Sequence, residues 1–396
     1  MRFAGLDSLR GIAALIVVFC HISNMMPAMP NVEWWFEWSP LNVLIAGQFA
    51  VIVFFVLSGF VLALPYANGS QQSYGQYLIR RVCRIYLPFV AAVLLASVLA
   101  LFFAEHRAAW HPRAAAWAAD INANMLISHL AMVGVGERSI LINGVIWTLI
   151  FEMRISILFP IIILIVKRFG FLAVVSSFAI GAVLVKLIIF LRNPETFFGM
   201  VGDTPLDSFL LTIYYMSFFI LGAWAAYRHE YLRTHMLKIP TYGHIILFSA
   251  LVYIPLLAVK HQFVKVNLFE ALAAVYMIIS IITFENINAF LLNGPIKWLG
   301  KVSYSMYLIH FPIMAAMVYA LYPYIPAPAV LVLSFPTVLL SSELMQRLIE
   351  RPSMQLGKRL ATQLQRNRAI FNQQPAKNSL IISPRNERSP MSNLPG

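Results

Sequence analysis

Apolar runs long enough to cross a bilayer recur from the first residues of the chain to about residue 346, more of them than one soluble core can bury. A membrane-crossing helix needs about 20 apolar residues, and ten stretches meet that length, at about 9–26, 44–65, 85–104, 143–166, 171–191, 209–227, 243–260, 268–290, 302–322 and 327–346. Composition agrees. Of the 396 residues, 60% are hydrophobic and 11% charged, and mean hydropathy is +0.76; a soluble domain carries about 25% charged residues. The chain therefore reads as an all-α polytopic membrane protein. A further apolar stretch, Met125 to Val135, is too short to cross and predicts a re-entrant or interfacial element.

Ten spans put both termini on one side, and the Lys/Arg distribution chooses that side. Arg80, Arg81, Arg84, Lys167, Arg168, Arg228, Arg233, Lys238, Lys297 and Lys301 share it with Arg2 and the tail. The opposite loops are longer, mix acidic with basic residues and hold Trp34, Trp35, Trp38, Trp110 and Trp117, as an interfacial aromatic belt would. Both termini are thus expected in the cytoplasm. The net charge of +13 is scattered between spans and in the tail without a dense basic face, so the lipid bilayer, not nucleic acid, is the expected partner.

The two cysteines, Cys20 and Cys83, provide neither a disulfide framework nor a metal cluster, and no metal is expected. The first apolar run and its Met25–Pro30 flank lead into many more spans, which reads as a retained signal anchor. From about residue 361 Gln, Asn, Ser, Pro and Arg replace the apolar pattern. The expected division is a membrane domain over 1–360 and a disordered cytoplasmic tail over 361–396.

Ionisable groups inside the spans are costly, which makes them the candidate functional positions. Arg10 and His21 lie eleven residues apart in the first span, a step that returns to nearly the same helix face about 16 Å further on. His21 near midplane suits a general base for a hydroxyl, with helix-packing glue as the plainer reading. Arg10 suits an anion bound from the cytoplasm or a snorkelling anchor, and Asp7 or Ser8 suits an N-cap. Arg80, Arg81 and Arg84 meet at helical spacing and present several guanidinium forks to one phosphate, or simply set topology. Glu152 sits at about the depth of His21, where a carboxylate can orient an imidazole or pair with a basic group for structure. Ser58, beside Gly59, reads as a close helix contact before a nucleophile. His310 is again at middle depth, and together with Ser58 and Trp147 it stands as a candidate substrate-lining residue.

These segments taken together resemble the acyltransferase-3 family of integral membrane O-acyltransferases, which decorate O-antigen, exopolysaccharides and other glycans. The resemblance spans about residues 3–360. It rests on Leu6 to Ala14 with Arg10 and His21 at the family's spacing, Phe54 to Phe60, Arg81 with Arg84, Trp147 to Pro160, Ser303 to Pro312 and Ile349 to Pro352. The sequence departs from the family pattern at Ile155 and Ser156, where members usually carry aromatic residues, and Arg154 brings an unusual charge.

The resemblance implies a ten-helix inner-membrane enzyme that takes an acyl group, acetyl first, from cytoplasmic acyl-CoA to a hydroxyl presented outside, on a cell-surface or secreted glycan. His21 matches the essential family histidine; Arg10, Arg81, Arg84 and Glu152 match other sensitive positions. No permanently bound cofactor is implied. A hydroxylated small molecule as acceptor, or transport of a glycan or lipid-linked intermediate, stand as alternatives, and a scaffold without catalysis is a third.

Overall fold

Ser73, Asn122 and Thr204 each stand just before a helix and take up an amide of its first turn: Ser73 Oγ accepts from Gln76 N at 3.4 Å, Asn122 Oδ1 from Met125 N at 2.9 Å and Thr204 Oγ1 from Asp207 N at 3.2 Å. Asp207 returns a bond to the Thr204 amide at 3.0 Å, closing a capping box that Arg192 also holds. The computed structural model describes residues 3–26, 39–70, 73–103, 121–133, 141–192, 202–258 and 263–379. The helices are α1 (Ala4–Met25), α2 (Gly47–Ala67), α3 (Tyr74–Phe102), α4 (Ala123–Leu130), α5 (Trp147–Phe169), α6 (Phe171–Leu191) and α7 (Pro205–Tyr227). They continue as α8 (His229–Met236), α9 (Thr241–Ala258), α10 (Phe263–Thr283), α11 (Glu285–Leu291), α12 (Gly294–Leu321), α13 (Ala327–Met345) and α14 (Arg351–Ser379), with a 3-10 turn at Pro40–Ile45 and a π turn at Gln346–Glu350. No strand occurs among the described residues.

Among the described residues eight helices are long and apolar enough to span, or nine if α10 and α11 form one span bent by 99° at Phe284. The expected span at 243–260 meets α9, of which Thr241–Tyr253 counts as a shorter apolar helix. The chain is thus an all-α polytopic membrane protein. Leu164, Phe190, Val332 and Leu340 stand exposed on the outside of the bundle, where lipid takes the place of a protein partner. The Met125–Val135 stretch overlaps the eight-residue α4, too short to cross, and its last two residues lie outside the described ones. The expected tryptophan belt, the Pro27–Pro30 flank and the loop charges at Arg107, Arg113, Arg138 and Lys260 lie outside the described residues.

Two sequence expectations are corrected. The third span does not begin at 85 but at Tyr74, so Arg80, Arg81 and Arg84 stand about two turns inside a helix. The tail expected to be disordered from 361 is helical to Ser379, and 380–396 lie outside the described residues. Ser353, Gly357 and Ala361 repeat every fourth residue and are buried, Gly357 lies against Cys83, and Gln76 Nε2 donates to Ala361 O at 3.4 Å. Small residues let α14 lie close on α3, a face that a search for large apolar residues does not register.

The helices cross where side chains vanish. Gly59 on α2 meets Phe219 of α7, and Gly222 on α7 meets Val56 and Phe60 of α2, with no room at either for a Cβ. Gly170, at φ +56°, makes the one-residue turn from α5 to α6 that other residues strain to adopt.

Candidate active site

Two prolines position the site. Pro160 has no N–H for the Ser156 carbonyl, which accepts instead from Tyr77 Oη at 2.9 Å. Pro312 likewise frees Leu308 O, which accepts from Asn143 Nδ2 at 2.8 Å. The first bond ties α3 to α5 beside Glu152; the second ties the loop before α5 to α12 beside His310.

Between α1, α2, α3, α5, α12 and the π turn lies a cavity of about 690 Å³, within the range of small-molecule sites. Exposed Gly294 and Lys297 mark its rim, at the end of the bundle where α1, α3 and α12 begin. Arg10, Arg81, Arg84, Lys297 and Lys301 line it against three carboxylates, Asp7, Glu152 and Glu350. Five cations over three anions leave a surplus that suits an anionic ligand. The rim-to-floor distance follows from α12, where Tyr307 lies about 20 Å beyond Gly294 at about 1.5 Å per residue. Phe54, Thr148 and Tyr307 line the deep end.

The charged groups are held by named partners. Arg81 donates Nη2 to Glu152 Oε1 at 3.0 Å and Nε to Ser156 Oγ at 3.2 Å. Ser58 Oγ donates to the same Glu152 oxygen at 3.2 Å. Arg10 pairs with Asp7 at 3.4 Å, and Ser305 Oγ donates to Glu350 Oε2 at 2.6 Å. Ser156, a departure from the family pattern, thus serves as an acceptor that fixes Arg81.

His21 faces α12 rather than lipid. Its ring lies 5.2 Å from that of His310 and 5.7 Å from that of Phe311, between centroids. His310 is fully buried; its Nδ1 donates to Met306 O at 3.1 Å and Tyr307 O at 2.9 Å, while Nε2 is buried without a hydrogen-bond partner. The Tyr307 ring is 6.0 Å from His310. A sequence of rings, Tyr307, His310, His21, therefore continues inward from the floor of the cavity.

The sequence-derived candidates divide accordingly. Arg10, Arg81, Arg84, Glu152 and Ser58 come together on the cavity wall. Arg80 is exposed and faces away from it, because its helix turns by about 100° per residue. Glu152 meets Arg81 and Ser58 and not His21, so the carboxylate expected to orient the imidazole belongs to the arginine instead. His21 and His310 lie beyond the cavity lining, and Trp147 is buried 5.7 Å from the Tyr215 ring, outside it. Among the described residues Arg154 finds only uncharged oxygens, which include Ser208 Oγ at 2.8 Å, Thr212 Oγ1 at 3.3 Å, Met132 O at 3.3 Å and Val133 O at 2.6 Å. Sequence reasoning gave no place in the site to Lys297, Lys301, Tyr307, Thr148 or Glu350, and used the two lysines for topology alone. Lysines four apart at the start of an apolar run were the available signal for the first two.

A family model described as an acyltransferase domain matches residues 3–344. The chain belongs to the acyltransferase-3 family. Comparison with curated proteins and with solved structures gives no match. As a member of this family the chain is a membrane acyltransferase, and the matched residues include every helix that lines the cavity except the last turns at Gln346, Glu350 and Met354.

Proposed function

We propose that this acyltransferase-3 protein moves an acyl group, acetyl foremost, from cytoplasmic acyl-CoA to a hydroxyl of a cell-surface or secreted glycan. It works in the inner membrane with both termini cytoplasmic. The observation that supports this reading is the cavity's polarity along its length: a cation-rich mouth, then an interior that ends on Tyr307, whose ring lies 6.0 Å from His310. Guanidinium forks at the mouth suit coenzyme A phosphates, and a depth of about 20 Å suits an extended thioester arm. His21, on the far side of His310, takes the proton of an acceptor hydroxyl arriving from outside and passes it to the leaving sulfur.

Glu152 and Asp7 have a supporting part: they offset some of the repulsion among Arg10, Arg81 and Arg84 until the donor's own charge does so. The test is acetyl-CoA turnover by purified protein against His21→Ala. The variant should bind coenzyme A as the parent does and turn over about 10²–10⁴ times more slowly, the usual contribution of a general base. Equal turnover in the two removes His21 from the chemistry; no turnover and no coenzyme binding in the parent removes the donor. Loss of O-acetyl signals from the host's glycans when this chain is deleted would identify the acceptor class.

A further inference from the structure

The cavity's deep end differs from its mouth. Phe54, Leu149, Thr148 and Tyr307 line the deep end, an apolar enclosure with two hydroxyls, and Glu152 stands one helical turn on from Thr148. Tyr307 Oη lies 2.8 Å from Thr148 Oγ1, and both reach the same backbone carbonyl, Val145 O, at 3.1 Å and 3.4 Å respectively. The Tyr307 ring packs edge-on against that of Phe54, 5.5 Å between centroids.

The phenol hydrogen has two local acceptors: Val145 O, which has lone pairs for both hydroxyls, and Thr148 Oγ1. That hydrogen can turn to a new acceptor while Thr148 keeps Val145 O, and the number of bonds is conserved. Of the two, phenol is the stronger acid and hence the stronger donor. Apolar walls around it strengthen any bond it makes to developing negative charge. A neutral group carrying a carbonyl oxygen fits this place; a phosphate, which needs cations, fits the mouth.

We infer that Tyr307 is a catalytic residue whose phenol, with Thr148 beside it, receives the thioester carbonyl of the donor. This rests on the donor reading above. In the step, the acceptor oxygen bonds to the carbonyl carbon and the carbonyl electron pair moves onto its oxygen, where the Tyr307 O–H holds it. Collapse breaks the carbon–sulfur bond, and the proton taken from the acceptor hydroxyl by His21 goes to the departing sulfur. Tyr307 lines the cavity, its ring lies 6.0 Å from that of His310, and His310 lies 5.2 Å from His21, so a carbonyl held by the phenol stands on the cavity side of the histidine pair.

The experiment uses the full chain in nanodiscs with acetyl-CoA carrying carbon-13 at the carbonyl, read by isotope-edited infrared difference spectra, beside coenzyme A affinity and the rate of acetyl-CoA hydrolysis. Bound to the parent, the carbonyl stretch should move to lower frequency than in water. In Tyr307→Phe it should return toward the solution value, affinity should change by less than about threefold, and the rate should fall about 10²–10³-fold, as when one oxyanion donor is removed. In Thr148→Val the phenol hydrogen is drawn back to Val145 O, so part of the shift and part of the rate should be lost; this variant decides if Tyr307→Phe does not fold. A carbonyl stretch unchanged by both substitutions overturns the inference while leaving the donor reading intact. Failure of the parent to bind acetyl-CoA overturns both.

Discussion

Glu152 illustrates how a charged residue in a membrane span is kept. One of its oxygens accepts from both Ser58 and Arg81, and Arg81 in turn leans on Ser156. Removing one partner of such a pair leaves the other uncompensated, whereas removing both together can be nearly neutral. Arg81→Ala is therefore expected to lower stability by about 3 kcal/mol, and adding Glu152→Gln should restore most of it. On the proposed function coenzyme A affinity should stay low in both variants, because the fork proposed to grip phosphate is gone in each. Thermal unfolding and titration calorimetry separate the two effects. At this scale the sequence identified which residues were unusual but not their partners. Arg10, Glu152 and His21 stood out because charge is rare in apolar runs, and Arg81 and Arg84 because they cluster at helical spacing. That Glu152 belongs to Arg81, 71 positions away, depends on how α3 and α5 cross.

Elements are joined by groups that the regular helix leaves over. Pro160 and Pro312 each release a carbonyl that a side chain of another segment takes up, so prolines that would weaken a soluble helix serve here as attachment points. Arg154 does the same for α4. It gathers Met132 O and Val133 O, just past the end of that helix, with Ser208 and Thr212 of α7, while Met132 holds a left-handed φ of +53°. The neighbouring His129 is buried with Nδ1 donating to Met125 O, and burial pushes its pKa down, so the imidazole stays neutral in place. Arg154→Met should release this segment. Amides of residues 125–133 are expected to exchange with solvent at least about tenfold faster, equivalent to about 1.4 kcal/mol of lost local stability, with the rest of the bundle unchanged. Unaltered exchange there would show that α4 is held by packing alone. The unusual charge at Arg154 was legible in the sequence; its purpose was not, since carbonyl acceptors leave no mark on composition.

The cavity's cations line it from the rim inward, and the imidazoles of His21 and His310 stand beyond its deep end. A mouth open to water is screened by salt, while the interior is not. Raising ionic strength from about 0.1 to about 1 M shortens the screening length from about 10 to about 3 Å. Coenzyme A binding should therefore weaken several-fold over that range, and the rate at saturating donor should hold. Fluorescence titration against salt, beside saturated turnover, checks both; affinity indifferent to salt would mean that the arginines do not meet phosphate.

Long apolar runs alone determined that this chain is a helical membrane protein, because the bilayer admits so few ways of satisfying a backbone. Charge rarity within those runs marked Arg10 and Glu152 on the cavity wall, helical spacing marked Arg81 and Arg84, and motif order pointed to the family. Tertiary structure decided the rest. It turned Arg80 away while admitting Arg81 and Arg84, gave Glu152 to an arginine rather than to an imidazole, extended the last helix along α3 on small residues, and set Tyr307 between the cavity and the histidines. The physical reason is common to all four. Burial in a membrane depends on the local run of residues, whereas the partner of a buried polar group depends on which helix faces lie opposite, and that is fixed only when the bundle closes.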